Sequence, residues 1–350
     1  MKKNYLFVLF ATLFCFNSLY SQKFIYDVEN FTYFDNKVVH RPAHTRSFYF
    51  ANRLTALAGI GLGDVAGAYH SLYAGVGYTQ PFGDNYKQFD VRPMVYYNFT
   101  QGGASFFCGI FPYSKMINSL PSLMRTGSSD YNTPNMQGFL YQYKYEKGSV
   151  EALLDWQQLR TERQGNRFNF AINGRHTFID ADIKSYVSFF AQWERSEHRD
   201  SAIVDDVYGL DVDNIKIMPS LTVDFSKNTP FRALNVNIGY LFAYQNHKYL
   251  AANHTAHAMT FDCQVAWEML SLKNSLFFSN RSISPLSSLA PELTISMGDV
   301  NYTLGLYNKT ELSCDIVSTH RFNLRAAVCM HTINNYKVGF QQKLTARISI

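Results

Sequence analysis

Charged side chains recur in this sequence at alternate positions of segments whose other positions are apolar. Between residues 89 and 99, for example, Asp90 and Arg92 alternate with Phe89, Val91 and Val95. A strand with this period of two has one apolar face and one wet face, and a Lys or Arg turned toward hydrocarbon at mid-depth would cost about 2 to 4 kcal/mol. We therefore predict that one set of charged side chains lines a water-filled interior: Arg53, Asp90, Arg92, Glu151, Asp155, Arg175, Lys184, Glu194, Lys216, Asp224, Asp262, Glu268, Arg325, Lys343 and Arg347.

Residues that serve nucleophilic catalysis lack the spacing that this chemistry needs. His70 and Ser71 are adjacent, so on a strand their side chains point to opposite faces. The sequence contains no GxSxG elbow, HExxH helix motif or phosphate-binding glycine loop. We therefore predict that the chain is not an enzyme and that it carries no cofactor.

Two clusters of possible metal ligands occur in predicted loops. The first is acidic and the second is rich in histidine: Asp205, Asp206, Asp211 and Asp213, and His247, His254 and His257. Oxygen-rich clusters can hold calcium, but the acidic run lacks the glycine and terminal glutamate of an EF-hand. Three histidines could bind zinc, but a loop holds its ligands poorly. We predict solvated loops here and no metal site.

The same alternation extends over most of the chain and is strictest in its last segment. One face there carries Tyr336, Val338, Phe340, Leu344, Ala346, Ile348 and Ile350, and the other carries Lys337, Gln341, Lys343, Thr345, Arg347 and Ser349. Such segments are about 10 to 14 residues long, whereas strands of soluble sheets usually have about 5 or 6, and tilted strands that cross a bilayer have about 9 to 11. The length favours a transmembrane barrel over a soluble β-sandwich.

Short and long connections alternate, as in barrels that have short turns on one side of a membrane and long loops on the other. Short links are predicted at 100–103, 146–149, 179–182, 226–230 and near 270, and long ones at 113–135, 160–166, 195–213, 246–257 and 280–297. With a first strand near 28–34 and a long strand over 300–317, the count is about sixteen strands, with fourteen as the alternative. The predicted fold is an all-β, antiparallel, up-and-down transmembrane β-barrel that forms one domain over residues 22–350.

The longest early loop, 113–135, carries Ile117, Leu120, Leu123 and Met124. An apolar loop of this length seldom remains fully in solvent. It is expected either to fold into the lumen as a constriction or to lie on the outer rim.

Residues 1–21 read as a signal peptide, because Lys2 and Lys3 precede an apolar run of about a dozen residues and Ser21 suits a cleavage position. Without this segment, which holds those two lysines and no acid, the formal charge falls from +5 to +3, and nothing in it indicates a nucleic-acid partner. The remaining cysteines are Cys108, Cys263, Cys314 and Cys329, whose irregular spacing favours isolated wall residues over a disulfide framework.

The pattern of signal, long alternating strands and alternating final segment resembles Gram-negative outer-membrane β-barrels, especially the porin-like barrels of the Bacteroidota. The stretches 71–81 (SLYAGVGYTQP) and 154–157 (LDWQ) look like those of uncharacterised members of that group. The resemblance implies an outer-membrane location, contact with lipid, and recognition by the barrel-assembly machinery through the segment from Tyr336 to Ile350. Such barrels usually end in an aromatic residue, whereas this chain ends in Ile350.

These observations predict a passive porin-like channel for small hydrophilic solutes, because sixteen strands leave an aqueous lumen unless loops fill it. Two alternatives remain at this point. The barrel is a receptor, adhesin or accessory subunit of an uptake or secretion complex, or it is a hydrolase of lipid or lipopolysaccharide. Assembly into a homo-oligomer is left open.

Overall fold

The structure, a computed structural model, describes residues 21–39, 45–63, 67–83, 89–125, 131, 133–159, 165–197, 211–247, 252–283, 305–334 and 337–350. The strands are β1 (Ser21–Val39), β2 (Thr45–Gly63), β3 (Ala68–Pro81), β4 (Asp90–Gln101), β5 (Ala104–Pro112), β6 (Asn135–Tyr145), β7 (Gly148–Gln158), β8 (Arg167–Asp180), β9 (Lys184–Ser196), β10 (Val212–Asp224), β11 (Ala233–His247), β12 (Ala252–Trp267), β13 (Leu270–Ser279), β14 (Leu306–Ser318), β15 (Phe322–Ile333) and β16 (Lys337–Ser349). Single 3-10 turns, Tyr113–Lys115 and Ser226–Asn228, follow β5 and β10.

Each strand pairs antiparallel with its neighbours in the sequence, and β1 pairs with β16, so the sheet closes into a barrel. Phe31 lies opposite Arg347 in the β1–β16 ladder. At its end the Val28 amide donates to the Ile350 carbonyl (3.2 Å), and the Ile350 amide donates to the Val28 carbonyl (2.9 Å). Closure removes the open strand edges that hydrocarbon could not satisfy. The predicted class, an antiparallel sixteen-stranded β-barrel, is confirmed.

The two faces of the wall follow the predicted alternation. On β16, Phe340, Leu344 and Ile348 are exposed on the outside, while Gln341 between them is buried inside. Successive side chains of a strand point to opposite faces, so the outer surface is apolar and the inner surface carries most of the charges. None of the helices in the described part of the chain has the length and apolarity to span a bilayer.

The connections sort onto two ends of the barrel. Links such as 102–103, 146–147, 181–183 and 268–269 lie at one end, which we call the turn end. The connection that contains 113–134 lies at the other, which we call the loop end. β1 and β2, with 19 residues each, are longer than predicted.

Part of the lumen is filled by apolar side chains. Leu123 and Met124, from the connection between β5 and β6, are buried in one hydrophobic cluster with inward-facing wall residues such as Phe111, Met136 and Leu241. A sixteen-stranded barrel is wide enough to leave an aqueous channel. Here wall side chains and a loop reduce that space to separate cavities.

Candidate functional site in the barrel lumen

The segment 113–125, which we call the lumen loop, enters the barrel and is held by Glu151. The Glu151 carboxylate, fully buried on β7, accepts the backbone amides of Ile117 (2.7 Å) and Asn118 (2.8 Å). The Gln142 side chain donates to the same carboxylate (2.6 Å). Glu151 lies near the turn end, so the loop reaches deep into the lumen. Of the two predicted positions for this loop, the structure has the one inside the barrel.

A second carboxylate fixes the base of the lumen loop. Asp155 accepts the Tyr113 hydroxyl (2.5 Å) and the Gln137 backbone amide (2.8 Å). Burial and the neighbouring carboxylate raise the pKa of Tyr113 well above its ordinary value, so its hydroxyl keeps the proton that it donates. The Arg125 guanidinium lies 3.8 Å from the centre of the Tyr113 ring, which adds a cation–π contact.

Local sequence explains why the chain turns inward at this point. Pro112 ends β5, because proline supplies no amide to continue the ladder. The Pro121 carbonyl accepts the amides of Met124 (2.8 Å) and Arg125 (3.0 Å), which closes a tight turn. This turn directs Leu123 and Met124 into the apolar cluster. Carboxylates on the wall and apolar side chains on the loop therefore both hold the lumen loop inside the barrel.

On one side of the lumen loop lies a cavity of about 500 Å³ that is bounded by β1, β2 and β16. We call it the charged cavity, because Asp27, Glu29, Arg53, Arg125 and Arg347 line it. Glu29 pairs with both Arg53 (3.4 Å) and Arg347 (3.3 Å). The charged cavity therefore presents acids and bases side by side.

On the other side lies a cavity of about 400 Å³ that is bounded by β8 to β13. We call it the polar cavity, because amide and hydroxyl side chains dominate its wall. Thr222 donates to the Asn237 side-chain carbonyl (2.9 Å), and the Asn237 amide donates to Asp262 (3.2 Å). Ser275 donates to the other oxygen of Asp262 (2.5 Å). Four strands thus contribute to one hydrogen-bonded ladder.

The structure distributes the predicted charged residues over several places. Arg53 and Arg347 line the charged cavity, and Arg175 and Asp262 line the polar cavity. Glu151 and Asp155 hold the lumen loop. Glu268 differs: it lies in the exposed turn between β12 and β13 with φ 48°, because the alternating pattern ran past the end of the strand.

The others form ion pairs or caps on the inner wall. Glu194 and Lys216, both fully buried, pair at 3.6 Å. Arg92 pairs with Asp90, Lys184 with Asp180, and Arg325 and Lys343 with Glu311, while Asp224 accepts the Ser226 amide. The structure thus brings Arg53 and Arg347 together at one cavity but not the whole predicted set.

A polar relay at the loop end of the lumen was missed from the sequence. The side chain of Gln341 donates to both oxygens of Asp35 (2.8 and 2.9 Å). Its amide oxygen therefore faces His331 Nε2 (3.2 Å), and His331 Nδ1 contacts the Tyr307 hydroxyl (2.7 Å). Because Gln341 offers an acceptor, Nε2 carries the proton and Nδ1 accepts from Tyr307. We call Asp35, Gln341, His331 and Tyr307 the relay.

Histidines on the outer face are bound differently. Each of these histidines pairs with a tyrosine hydroxyl. His70 pairs with Tyr97 and His257 with Tyr240 on adjacent strands, and His176 pairs with Tyr145 two strands away. An aromatic ring with a satisfied polar tip suits the interface of a bilayer. His331 is linked to a carboxylate, Asp35, through the side-chain amide of Gln341. Among the described residues, none of these three outer histidines has such a link.

The loop clusters considered as metal ligands have other contacts. Asp211 and Asp213 pair with Arg195, and His254 Nε2 contacts the Ser282 carbonyl (2.8 Å). Asp205, Asp206 and the side chain of His247 lie outside the described residues. Cys108, Cys263, Cys314 and Cys329 are free thiols.

With this geometry established, the comparison with known proteins decides the family. A family model described as lipid A 3'-O-deacylase-type matches residues 16–349. The chain belongs to the lipid A 3'-O-deacylase-type family. No curated protein matches the sequence. The prediction that the chain is not an enzyme is therefore wrong, because this family points to one. Motif spacing failed as a test, since a barrel joins residues that are far apart in the sequence.

Solved structures share the fold of this family member. A BenF-like porin from Pseudomonas fluorescens is 8% identical with a TM-score of 0.54, over 94% of this chain and 99% of that chain. OpdK from Pseudomonas aeruginosa, solved with vanillate, is 10% identical with a TM-score of 0.52, over 94% and 98%. A mutant Rhodopseudomonas blastica porin is 8% identical with a TM-score of 0.50, over 94% and 100%. The predicted resemblance to Gram-negative outer-membrane barrels is confirmed, and the outer membrane is the location that this fold supports.

Replacing Glu151 with Ala should loosen the lumen loop. A buried hydrogen bond to a charged group contributes about 1.5 to 3 kcal/mol, so the amides of Ile117 and Asn118 should exchange hydrogen about 10 to 100 times faster. Hydrogen exchange of the folded protein in detergent, read by mass spectrometry, measures this. Glu146→Ala, in the exposed turn between β6 and β7, is the matched control. Equal protection in Glu151→Ala and the wild type would contradict the anchoring role.

Proposed function

We propose that the chain hydrolyses an ester-linked acyl chain of an outer-membrane lipid, with lipid A as the substrate class. The observation that carries the proposal is the family match, which extends over the whole barrel rather than over one segment. The apolar outer surface of the strands also suits a bilayer that contains such lipids.

The relay offers the proton-handling group that ester hydrolysis needs. His331 Nδ1 accepts the Tyr307 proton as the Tyr307 oxygen takes a proton from the attacking water. The Nε2–H of the imidazolium continues to donate to the Gln341 amide oxygen. When the acyl C–O bond breaks, the Nδ1 proton returns through the Tyr307 hydroxyl to the leaving alkoxide, which restores the neutral ring. Asp35 orients Gln341 and adds a negative charge behind it, which favours the positively charged ring.

The relay is closed in this structure. Tyr307 and His331 are fully buried, and Asp35 and Gln341 are nearly so. Burial keeps water away and strengthens each electrostatic contact. The side chains that cover Tyr307 must therefore move before an ester carbonyl can approach its oxygen, which makes local opening part of the proposed reaction.

Replacing His331 with Ala should lower the rate of acyl-chain release by about 100-fold or more, because a positioned general base contributes about 10² to 10⁴ in rate. The purified full chain is incubated with lipid A in mixed micelles, and mass spectrometry follows free fatty acid and the matching loss of mass from lipid A. His257→Gln, on the outer face, is the control and should keep the wild-type rate. Tyr307→Phe should reduce the rate as His331→Ala does.

Two different results would contradict the proposed activity and the proposed role of the relay. No fatty acid release by the wild type, with folding verified, contradicts the proposed function. Release that His331→Ala and Tyr307→Phe leave unchanged contradicts the role of the relay but not the function.

A second candidate function is the passage of small hydrophilic solutes, and the charged cavity favours it. This cavity follows the lumen loop from Pro134, near the loop end, to Asp27 and Leu57, closer to the turn end. Arginine and carboxylate groups that face a narrow aqueous space bias which ions pass. The fold shared with porins supports this candidate in general terms.

Neutralising Arg347 should shift ion selectivity toward cations. A single charge within about 4 Å of a solvated path changes the energy of a passing ion by roughly 1 kcal/mol, so Arg347→Gln should lower the anion-to-cation permeability ratio about two- to fivefold. Reversal potentials in planar bilayers under a salt gradient measure this ratio. Lys227→Gln, in the exposed turn after β10, is the control. The absence of conductance steps from the folded wild type would rule out passage.

A further inference from the structure

The polar cavity has a hydrogen-bonding surface, formed mainly by neutral side chains, that neither proposed function uses. Ser119 and Ser122 reach it from the lumen loop, and Asn173, Ser188 and Ser220 reach it from the wall. Hydroxyl groups both donate and accept, and side-chain amides carry one group of each kind. The cavity therefore offers donors and acceptors in close alternation, without the dense ion pairs of the charged cavity.

Two of the three charged side chains at this cavity are engaged by the wall, and the third, Lys273, is exposed. Both oxygens of Asp262 accept hydrogen bonds, one from Asn237 and the other from Ser275. The Arg175 guanidinium lies over the Tyr186 ring, 3.4 Å from its centre. These contacts leave neutral dipoles and the Lys273 ammonium as the groups available to a ligand.

An unpaired hydroxyl provides an independent indication of a ligand. Thr260 lines the polar cavity and is 5% exposed, and its Oγ1 has no hydrogen-bond partner among the described residues. Buried polar atoms without a partner are rare and costly in native proteins. Phe190 and Met218, both buried, border the same space. Thr260 and an apolar patch thus border one cavity.

We infer that the polar cavity binds a neutral saccharide of one or two rings. Sugar hydroxyls donate and accept at once, as the side chains of this wall do, and the C–H face of a sugar ring can cover Phe190 and Met218. The volume of about 400 Å³ is at the lower end of the range for small-molecule sites. Neither the lipid reaction nor solute passage is needed for this site to exist.

Titration calorimetry of the full chain in lauryldimethylamine oxide micelles, with glucose and maltose as probes, tests the inference. This detergent has no sugar headgroup that could compete. Thr260→Val keeps the shape of the side chain but removes its hydroxyl, so the dissociation constant should rise about two- to tenfold. Thr55→Val, at the charged cavity, is the matched control and should bind like the wild type.

A second variant keeps the test independent of Thr260. Ser122→Trp places a bulky ring on the exposed side of the lumen loop at the polar cavity and should abolish binding, with folding verified by the heat-dependent mobility of the barrel in gels. No binding of either sugar by the wild type would overturn the inference, as would binding that survives both variants. Tighter binding of gluconate than of glucose would assign the site to anions and also overturn it.

Discussion

The structure depends on hydrogen bonding between backbone groups. Hydrocarbon contains no water, so every amide and carbonyl in the barrel wall needs a partner within the protein. The β1–β16 ladder meets this constraint by joining the first strand to the last. Once the sheet is closed, the period of two assigns every strand residue to lipid or to the lumen. The inner surface, including its cavities, its ion pairs and the relay, is a consequence of that closure.

The same constraint governs the lumen loop. A chain segment inside the barrel must find partners for its own amides, and the Glu151 carboxylate supplies them for Ile117 and Asn118. Wall carboxylates that looked like pore lining in the sequence are thus anchors for a loop. The loop divides the lumen into a charged and a polar cavity, so two surfaces of different chemistry result from one structural element.

Much of the fold could be predicted because alternation is a local property. The final strand and the rhythm of short and long connections depend only on neighbouring residues, and they gave the strand number. The site depends on distant pairs. Asp35 meets Gln341 only through the seam, and Tyr307 meets His331 only across β14 and β15, so spacing in the sequence carried no signal for the relay.

Other failures have the same cause. Glu29 lies within the predicted first strand, 28–34, but was missed because its ion pairs with Arg53 and Arg347 depend on both neighbouring strands. Glu268 was assigned to the lumen because alternation continues through a turn that ends β12. The enzyme prediction was wrong for a related reason, since a search for linear motifs cannot find groups that only closure brings together.

The central claim is that the outer face of the closed barrel lies against lipid, and the three tryptophans of the chain allow a direct measurement. Trp156, Trp193 and Trp267 all lie exposed on the outer face. In proteoliposomes, lipids brominated near the top of the acyl chain should quench most of the tryptophan fluorescence, while aqueous iodide should quench little. Strong quenching by iodide with no effect of brominated lipid would contradict the account.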